Sequence, residues 1–297
     1  MKTALFQILW RDRFLKATFI AFITLLIVAL FGPFFLSHAQ DQNTALQFSP
    51  PSPENWLGTD FHGRDLLARL LSGLRLSLFV GSIGAGVSLI IGVAVGLIAG
   101  YFGGKIDLLL MRLVDLLYSL PRLVFVIVLI SALEKPTAHF LEKVNFSELL
   151  PHIRLLLLFI GLGCVEWLTM ARIVRGQVLS LKESTFVQAA RALGQSHSQI
   201  ILRHLFPNLT GIVIVYLTLT IPVVILEESF LSFLGLGVQA PAASLGSLIS
   251  EGAQYLNPFE IQWWLVVFPA GTMAILLLML NLLGDGLRDA MDPRKKK

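Results

Sequence analysis

Charge is scarce in this chain. Only 14% of its 297 residues are Asp, Glu, Lys or Arg, while 55% are hydrophobic. Soluble domains carry about 25% charged residues, and the mean hydropathy here is +0.76. One water-soluble core cannot hold that much apolar surface. This argues against a soluble enzyme, a disordered chain and a charged nucleic-acid binder. Cysteine is scarcer still. Cys164 alone, in an apolar stretch, leaves no intramolecular disulfide framework and reads as a packed thiol. Catalytic signatures are missing as well. The run GYFGGK at 100–105 is followed by Ile106, so it is not a G-x-x-x-x-G-K-[ST] phosphate loop. H-E-x-x-H and G-x-S-x-G are absent, and the six His residues form no ligand cluster. The sequence has no repeat at a 20–50-residue period and no low-complexity tract.

What fills the chain is long apolar runs. A helix needs about 20 apolar residues to cross a bilayer core. Residues 17–36, 76–102, 205–226 and 261–283 meet that length with no charge inside. Two further runs are interrupted: 113–133 by Asp115, Pro121 and Arg122, and 155–171 by Glu166. The expectation is an all-α integral membrane protein with six transmembrane helices. Six spans place both ends on one side. With the N-terminus inside, 16 Lys and Arg fall on the inner side and 6 on the outer, which favours N-in, C-in. Ser37-His38-Ala39 looks like a signal-peptidase site. The run before it is longer than the usual 7–15 residues or so, so an uncleaved first helix is expected.

The expected organisation is a cytoplasmic segment at 1–16 and a six-span domain at 17–297. Its polar parts are an outer loop at 38–75, an inner loop at 172–208, an outer loop at 235–260 and a cytoplasmic tail at 284–297. In the second span Gly84, Ser88, Gly92, Gly96 and Gly100 recur every four residues. Small residues on one face let helix backbones approach closely in lipid. The pattern does not say which helix is the partner.

The inner loop reads KESTFVQAARALGQSHSQIILRHLFPN over 182–208. Thr185 with Gln188, and Ser196 with Gln199, have capping-box spacing. Gly194 suits a helix C-terminus, and Pro207 marks entry into the next span. The spacing predicts helix–Gly–helix, with Phe186, Ala189, Ala190 and Leu193 as a small apolar face. Such a unit suits lipid headgroups or another protein; composition does not choose between them.

This stretch resembles the "EAA" loop of ABC importer permeases, E-A-A-x-x-x-G-x9-I-x-L-P. Gln188, Ala189, Ala190, Gly194 and Pro207 fall at the family spacing, with Gln188, His204 and Phe206 departing from its Glu, Ile and Leu. Three more stretches are similar to C-type subunits of the dipeptide/oligopeptide branch. They are LGTDFHGRD at 57–65, LSFLGLGVQ at 231–239, and LGDGLRD at 283–289 followed by DPR at 292–294. The resemblance implies a coupling helix at 185–194 that enters a groove of an ATPase subunit. Its contributors are Thr185, Phe186, Gln188, Ala189, Ala190, Arg191, Gly194 and Pro207. A Cβ at Gly194 is expected to clash or to distort the turn. Gln188 in place of Glu forgoes an ion pair.

Other candidates keep two readings each. Asp60, Gly63, Arg64 and Asp65 suit an outer gate or a receiver of a solute-binding protein, and equally a local Asp–Arg network that folds the loop. The resemblance aligns Glu228 with an acidic family position. Glu227 and Glu228 suit a translocation path for cationic peptide termini, and equally a headgroup-level position. Asp115 and Arg122 are expected to pair within one helix, and Glu166 has no assigned partner. Trp263 and Trp264 read as interfacial anchors, and Arg294–Lys297 as a positive-inside tail.

The resemblance implies a permease subunit in a bacterial inner membrane, carrying peptides by alternating access. It implies a homologous permease as heterodimer partner, two cytoplasmic ATPases that hold ATP and Mg, and an external solute-binding protein. This chain itself then holds no cofactor or metal, binds no nucleic acid and is not an enzyme. Close relatives also carry nickel complexes, glutathione and other small solutes, and no residue separates these. A stand-alone channel or secondary transporter is the rival class. It predicts function without ATPases and favours inverted repeats, which are absent.

Overall fold

A computed structural model describes residues 13–36, 41–144, 146, 150, 153–256 and 261–291. The signal-like Ser37-His38-Ala39, residues 1–12 and the basic end at 292–297 lie outside the described residues, as does the DPR stretch. The elements are α1 (Arg13–Phe35), α2 (Leu66–Phe102), α3 (Gly104–Tyr118), α4 (Arg122–Lys143) and α5 (Ile153–Leu181). They continue with α6 (Thr185–Ala192), α7 (His197–Ile200), α8 (Phe206–Phe233), α9 (Leu245–Gln254) and α10 (Trp264–Met291). Among the described residues there is no strand beyond an isolated Thr59–Asp65 bridge. Among the described residues, six helical stretches are long and apolar enough to cross a membrane.

Their limits differ from the apolar runs for identifiable reasons. The expected third span at 113–133 is two helices. Pro121 has no N–H to donate and disfavours α geometry at Leu120. So α3 stops at Tyr118, and the long helix is α4, starting at Arg122 with Pro121 as its N-cap. Helix α2 starts at Leu66, inside the stretch read as loop 38–75. Its early charge, Arg69, is paired with Asp60 and Glu251, which lets the helix carry it. Helix α10 likewise runs to Met291, through residues read as tail.

Pro207 does not end a helix. Helical backbone is continuous over His197–Phe233, through one wide turn at Ile201–Leu205. The Phe206 N–H reaches back to the Ile201 carbonyl, and Asn208 Nδ2 takes the His204 carbonyl at 2.6 Å. A proline that leaves carbonyls without their usual donor accounts for such a turn.

The chain divides into two compact units, Met1–Ser82 with Ile221–Gly286, and Ile83–Thr220 with Leu287–Lys297. The first unit's core joins Ala29 of α1, Leu70, Leu74 and Leu78 of α2, Ile225 of α8, Leu245 and Leu248 of α9, and Leu276 and Leu280 of α10. Helix α9 lies within the loop expected at 235–260. Ser244 and Ser247 form its capping box. The second unit's core joins Val93, Leu97 and Tyr101 of α2, Met170, Val174 and Val178 of α5, Val187 and Ala190 of α6, and Leu205, Leu209 and Val213.

The glycine ladder finds its partner here. A Cβ on Gly96 would lie 2.7 Å from the Ala171 carbonyl oxygen and from Val174 Cβ, and one on Gly100 2.7 Å from Val178 Cβ. From the other side, a Cβ on Gly163 would meet the Gly84 carbonyl at 2.7 Å. Small residues therefore bring α2 and α5 into backbone contact, as small-xxx-small faces do in lipid.

Candidate functional site

Helix α6 is a short projection with two unlike faces. Val187 and Ala190 are buried in the second unit's core. Thr185, Phe186, Gln188, Ala189, Arg191, Leu193 and Gly194 are exposed, and Leu193 is 81% exposed. The apolar face expected from Phe186, Ala189, Ala190 and Leu193 thus divides. Ala190 anchors the helix, and the other three point away from the core.

Both ends of α6 are fixed by backbone chemistry. The expected Thr185–Gln188 capping box does not form. Ser184 is the N-cap, its carbonyl accepts from the Val187 and Gln188 N–H groups, and its hydroxyl donates to the Leu181 carbonyl at 2.5 Å. Gln188 Nε2 instead donates to the Glu183 carbonyl at 3.1 Å, a bond a carboxylate could not make. At the far end Gly194 has φ +75°. Its N–H donates to the Arg191 carbonyl at 3.0 Å, and the Gln195 N–H to the Ala190 carbonyl at 3.2 Å. These two bonds define a Schellman motif. The space around Gly194 is open, so the expected clash is absent. Backbone conformation alone asks for glycine there.

The following turn is stitched to the same body. Ser196 and Gln199 form the expected capping box. Tyr101 Oη lies 2.8 Å from His197 Nδ1, and His204 Nε2 lies 2.7 Å from Gln195 Oε1. The Arg191 guanidinium sits 5.5 Å from the Tyr101 ring centre. Lys182 Nζ donates to the Gly100 carbonyl at 3.1 Å. Sequence reasoning missed Ser184, Val187, Tyr101 and His197. Tyr101 and His197 are 96 residues apart, and no local pattern links them. Pro207 is exposed at the first turn of α8.

In the first unit, Asp60 is buried at the centre of a clasp. One carboxylate oxygen accepts from the His62 and Arg64 N–H groups at 2.8 and 2.9 Å. The other accepts from Arg64 Nε at 2.7 Å and Arg69 Nη1 at 2.8 Å. Arg69 also meets Glu251 of α9 through both nitrogens, at 2.6 and 3.1 Å. Gly63, at φ +71°, packs where a Cβ would run into the Asn43 backbone. The loop-folding network is thus real, and Arg69 and Glu251 belong to it. Asp65 stands apart. It accepts from the Leu67 N–H at 3.2 Å, and burial pushes its carboxyl above the usual range, against the lowering by hydrogen bonds from Leu67 and Ala68. Trp264 is no interfacial anchor. It is buried, and its Nε1 donates to the Thr59 carbonyl at 3.3 Å.

Glu228 is fully buried within the protein, at 0% exposure. Its carboxylate accepts from Ser232 Oγ at 2.6 Å and Ser229 Oγ at 3.4 Å. Ser232 Oγ in turn accepts from the Val238 N–H at 3.0 Å and lies 3.4 Å from Ser244 Oγ. The carboxylate therefore pins the chain after α8. Glu227, its neighbour, is half-buried.

Asp115 and Arg122 do not pair with each other. Asp115 meets Arg172 at 2.7 Å and Arg122 meets Glu166 at 3.0 Å, with Tyr118 Oη accepting from Arg122 at 2.9 Å. Asp107 and Arg175 add a second pair between α3 and α5. Among the described residues no group of three or more His, Cys, Asp or Glu could hold a metal ion.

A family model described as "Binding-protein-dependent transport system inner membrane component" matches residues 92–297. The oligopeptide transport system permease protein OppC of Haemophilus influenzae is 42% identical over 299 residues, covering 97% of this chain and 89% of that protein. OppC of Escherichia coli K12 is 43% identical, covering 97% and 92%. The dipeptide transport system permease protein DppC of Bacillus subtilis is 39% identical over 288 residues, covering 97% and 84%. A chain of the inward-facing MetNI methionine ABC transporter superposes with a TM-score of 0.55 at 18% identity, covering 76% of this chain and 98% of that one. At that identity the likeness is one of fold.

Proposed function

We propose that this chain, which belongs to the family of binding-protein-dependent transport system inner membrane components, is one of two homologous permease subunits of an ATP-driven importer of short peptides. The peptide assignment comes from the oligopeptide and dipeptide permeases it is similar to. Two cytoplasmic ATPases hold ATP and Mg, and an external binding protein delivers the peptide. The chain is a multi-pass inner membrane protein, with both ends on the ATPase side in this reading.

The observation that carries the reading is the α6 projection. Its exposed face ends in Leu193 and Gly194, while Val187 and Ala190 lock it to α5 and α8. Force applied to the outer face by a closing ATPase pair passes through that packed underside into two long helices. Packed interiors move as bodies rather than deforming continuously. ATP chemistry then belongs to the partners and peptide passage to the permease pair.

The test is purification of the tagged chain from membranes, with mass spectrometry of what accompanies it. Two ATPases and a second six-span subunit are the expected companions. Leu193→Asp should insert normally and lose the ATPases, whereas Val187→Asp should fail to accumulate. A wild-type chain that purifies alone under cross-linking, or a Leu193→Asp chain that keeps its ATPases and uptake, would sink the reading.

A further inference from the structure

Arg75 is a charge without an obvious reason. It lies nine residues beyond Leu66, about 14 Å along α2 at 1.5 Å per residue. That helix is one of the six able to cross a membrane. Arg75 stands immediately before the uncharged run 76–102, and a cation at that edge is held by a partner or by water. Yet Arg75 meets no carboxylate among the described residues. Its guanidinium only stacks 5.7 Å from the centre of the exposed Phe34 ring.

The cation opens onto a recess of about 270 Å³ in the first unit. Ser72, Leu76 and Phe79 of α2 line it, with Pro241, Ala242 and Ala243 opposite. Arg69 also reaches the recess, but Asp60 and Glu251 hold its guanidinium. The uncompensated charge in the recess is therefore that of Arg75. A guanidinium, one hydroxyl and apolar walls together suit an oxyanion attached to an apolar body.

We propose that Arg75 holds the C-terminal carboxylate of the transported peptide, with the last side chain against Phe79 and Pro241. This rests on the peptide reading above. Peptides of any sequence share that carboxylate, so one arginine serves them all, and the apolar walls accept varied side chains.

The experiment uses the whole importer in proteoliposomes, with binding protein in excess. The probes are trialanine and trialanine amide, which differ in that one charge. Arg75→Gln should raise the trialanine concentration for half-maximal uptake about tenfold, as loss of a charge-assisted hydrogen bond does. It should leave the amide unchanged, and Arg75→Lys should recover part of the loss. Ser72→Asp provides a second variant. It places a competing carboxylate one helical turn before Arg75 and should impair acid uptake but not amide uptake. Equal effects on acid and amide would overturn the proposal. So would a dependence on anionic lipid that Arg75→Gln abolishes with acid and amide affected alike, which would assign the recess to a lipid phosphate. Peptide uptake by the wild type that ignores Arg75 sinks this site alone. No uptake of either probe by the wild type sinks the peptide reading and the ligand with it.

Discussion

Arg122 donates to Glu166 at 3.0 Å, tying the first residue of α4 to the middle of α5 across 44 positions of sequence. Glu166 is 6% exposed and Arg122 40% exposed at the side chain. The carboxylate therefore depends on its partner more than the guanidinium does. The same arginine also reaches Tyr118 Oη, so the pair spans the break between α3 and α4.

Removing the arginine should cost more than neutralising the acid. Arg122→Ala leaves Glu166 buried beside no cation, with an expected loss of about 1–3 kcal/mol once the exposure of Arg122 is allowed for. Glu166→Gln keeps an acceptor for the guanidinium and should cost less. Thermal unfolding of the two purified variants in one detergent decides the order. A larger loss in Glu166→Gln would refute it.

Gly194 should be replaceable according to backbone preference and not according to size. Its φ is +75° and no atom crowds the Cβ position. Gly194→Asn should keep most uptake, because Asn tolerates the left-handed region. Gly194→Ala should cost about 1–2 kcal/mol locally and reduce ATPase coupling. Gly194→Val should be worse, because β-branching strains positive φ further. Uptake at matched membrane levels ranks them. An Asn variant worse than Val would mean that side-chain bulk matters after all.

Gly96 and Gly86 share a helix and should behave oppositely. A Cβ on Gly96 meets the Ala171 carbonyl oxygen and Val174, whereas one on Gly86 meets nothing within 4 Å. Gly96→Val should prevent α2 and α5 from packing and lower the amount of folded protein several-fold. Gly86→Ala should be neutral or stabilising by about 1 kcal/mol, the helix preference of Ala over Gly. Fluorescence-detected size exclusion of tagged variants measures both. Loss of folded protein in Gly86→Ala would contradict the assignment.

Asp65 should make the protein slightly less stable as pH rises. Its native pKa is raised by burial, so the folded form holds the proton more tightly than the unfolded chain. The penalty is absent below the ordinary carboxylate range and complete above the raised native value. Asp65→Asn keeps an acceptor for the Leu67 N–H without the charge. It should therefore raise the melting temperature at pH 7.5 and leave it unchanged near pH 3. A gain at the acidic end alone would reverse the sign and reject the argument.

The α6 unit was legible because its signals are local. The Ser196–Gln199 box and the glycine after α6 lie within a few residues of the groups they satisfy. Even so, the spacing points to Thr185, whereas Ser184 is the cap. Adjacent hydroxyl residues offer the same chemistry, and only the backbone turn selects one. An apolar average passes over Pro121 and puts the third span at 113–133, whereas the backbone breaks there and the long helix is Arg122–Lys143.

The sequence by itself determined six apolar crossings, the exposed helix–Gly–helix unit, and a run of small residues on one helix face. Each follows from propensity, hydropathy or spacing over fewer than 40 residues. Only the tertiary structure decided that α5 receives the glycine ladder, that Arg69 bridges Asp60 and Glu251, and that Glu228 rests among serines. It also decided that Arg75 meets no acid among the described residues. The α2–α5 contact and the Arg69–Glu251 pair join chain segments far apart in sequence. Charge and size make many such pairings possible, and packing selects among them.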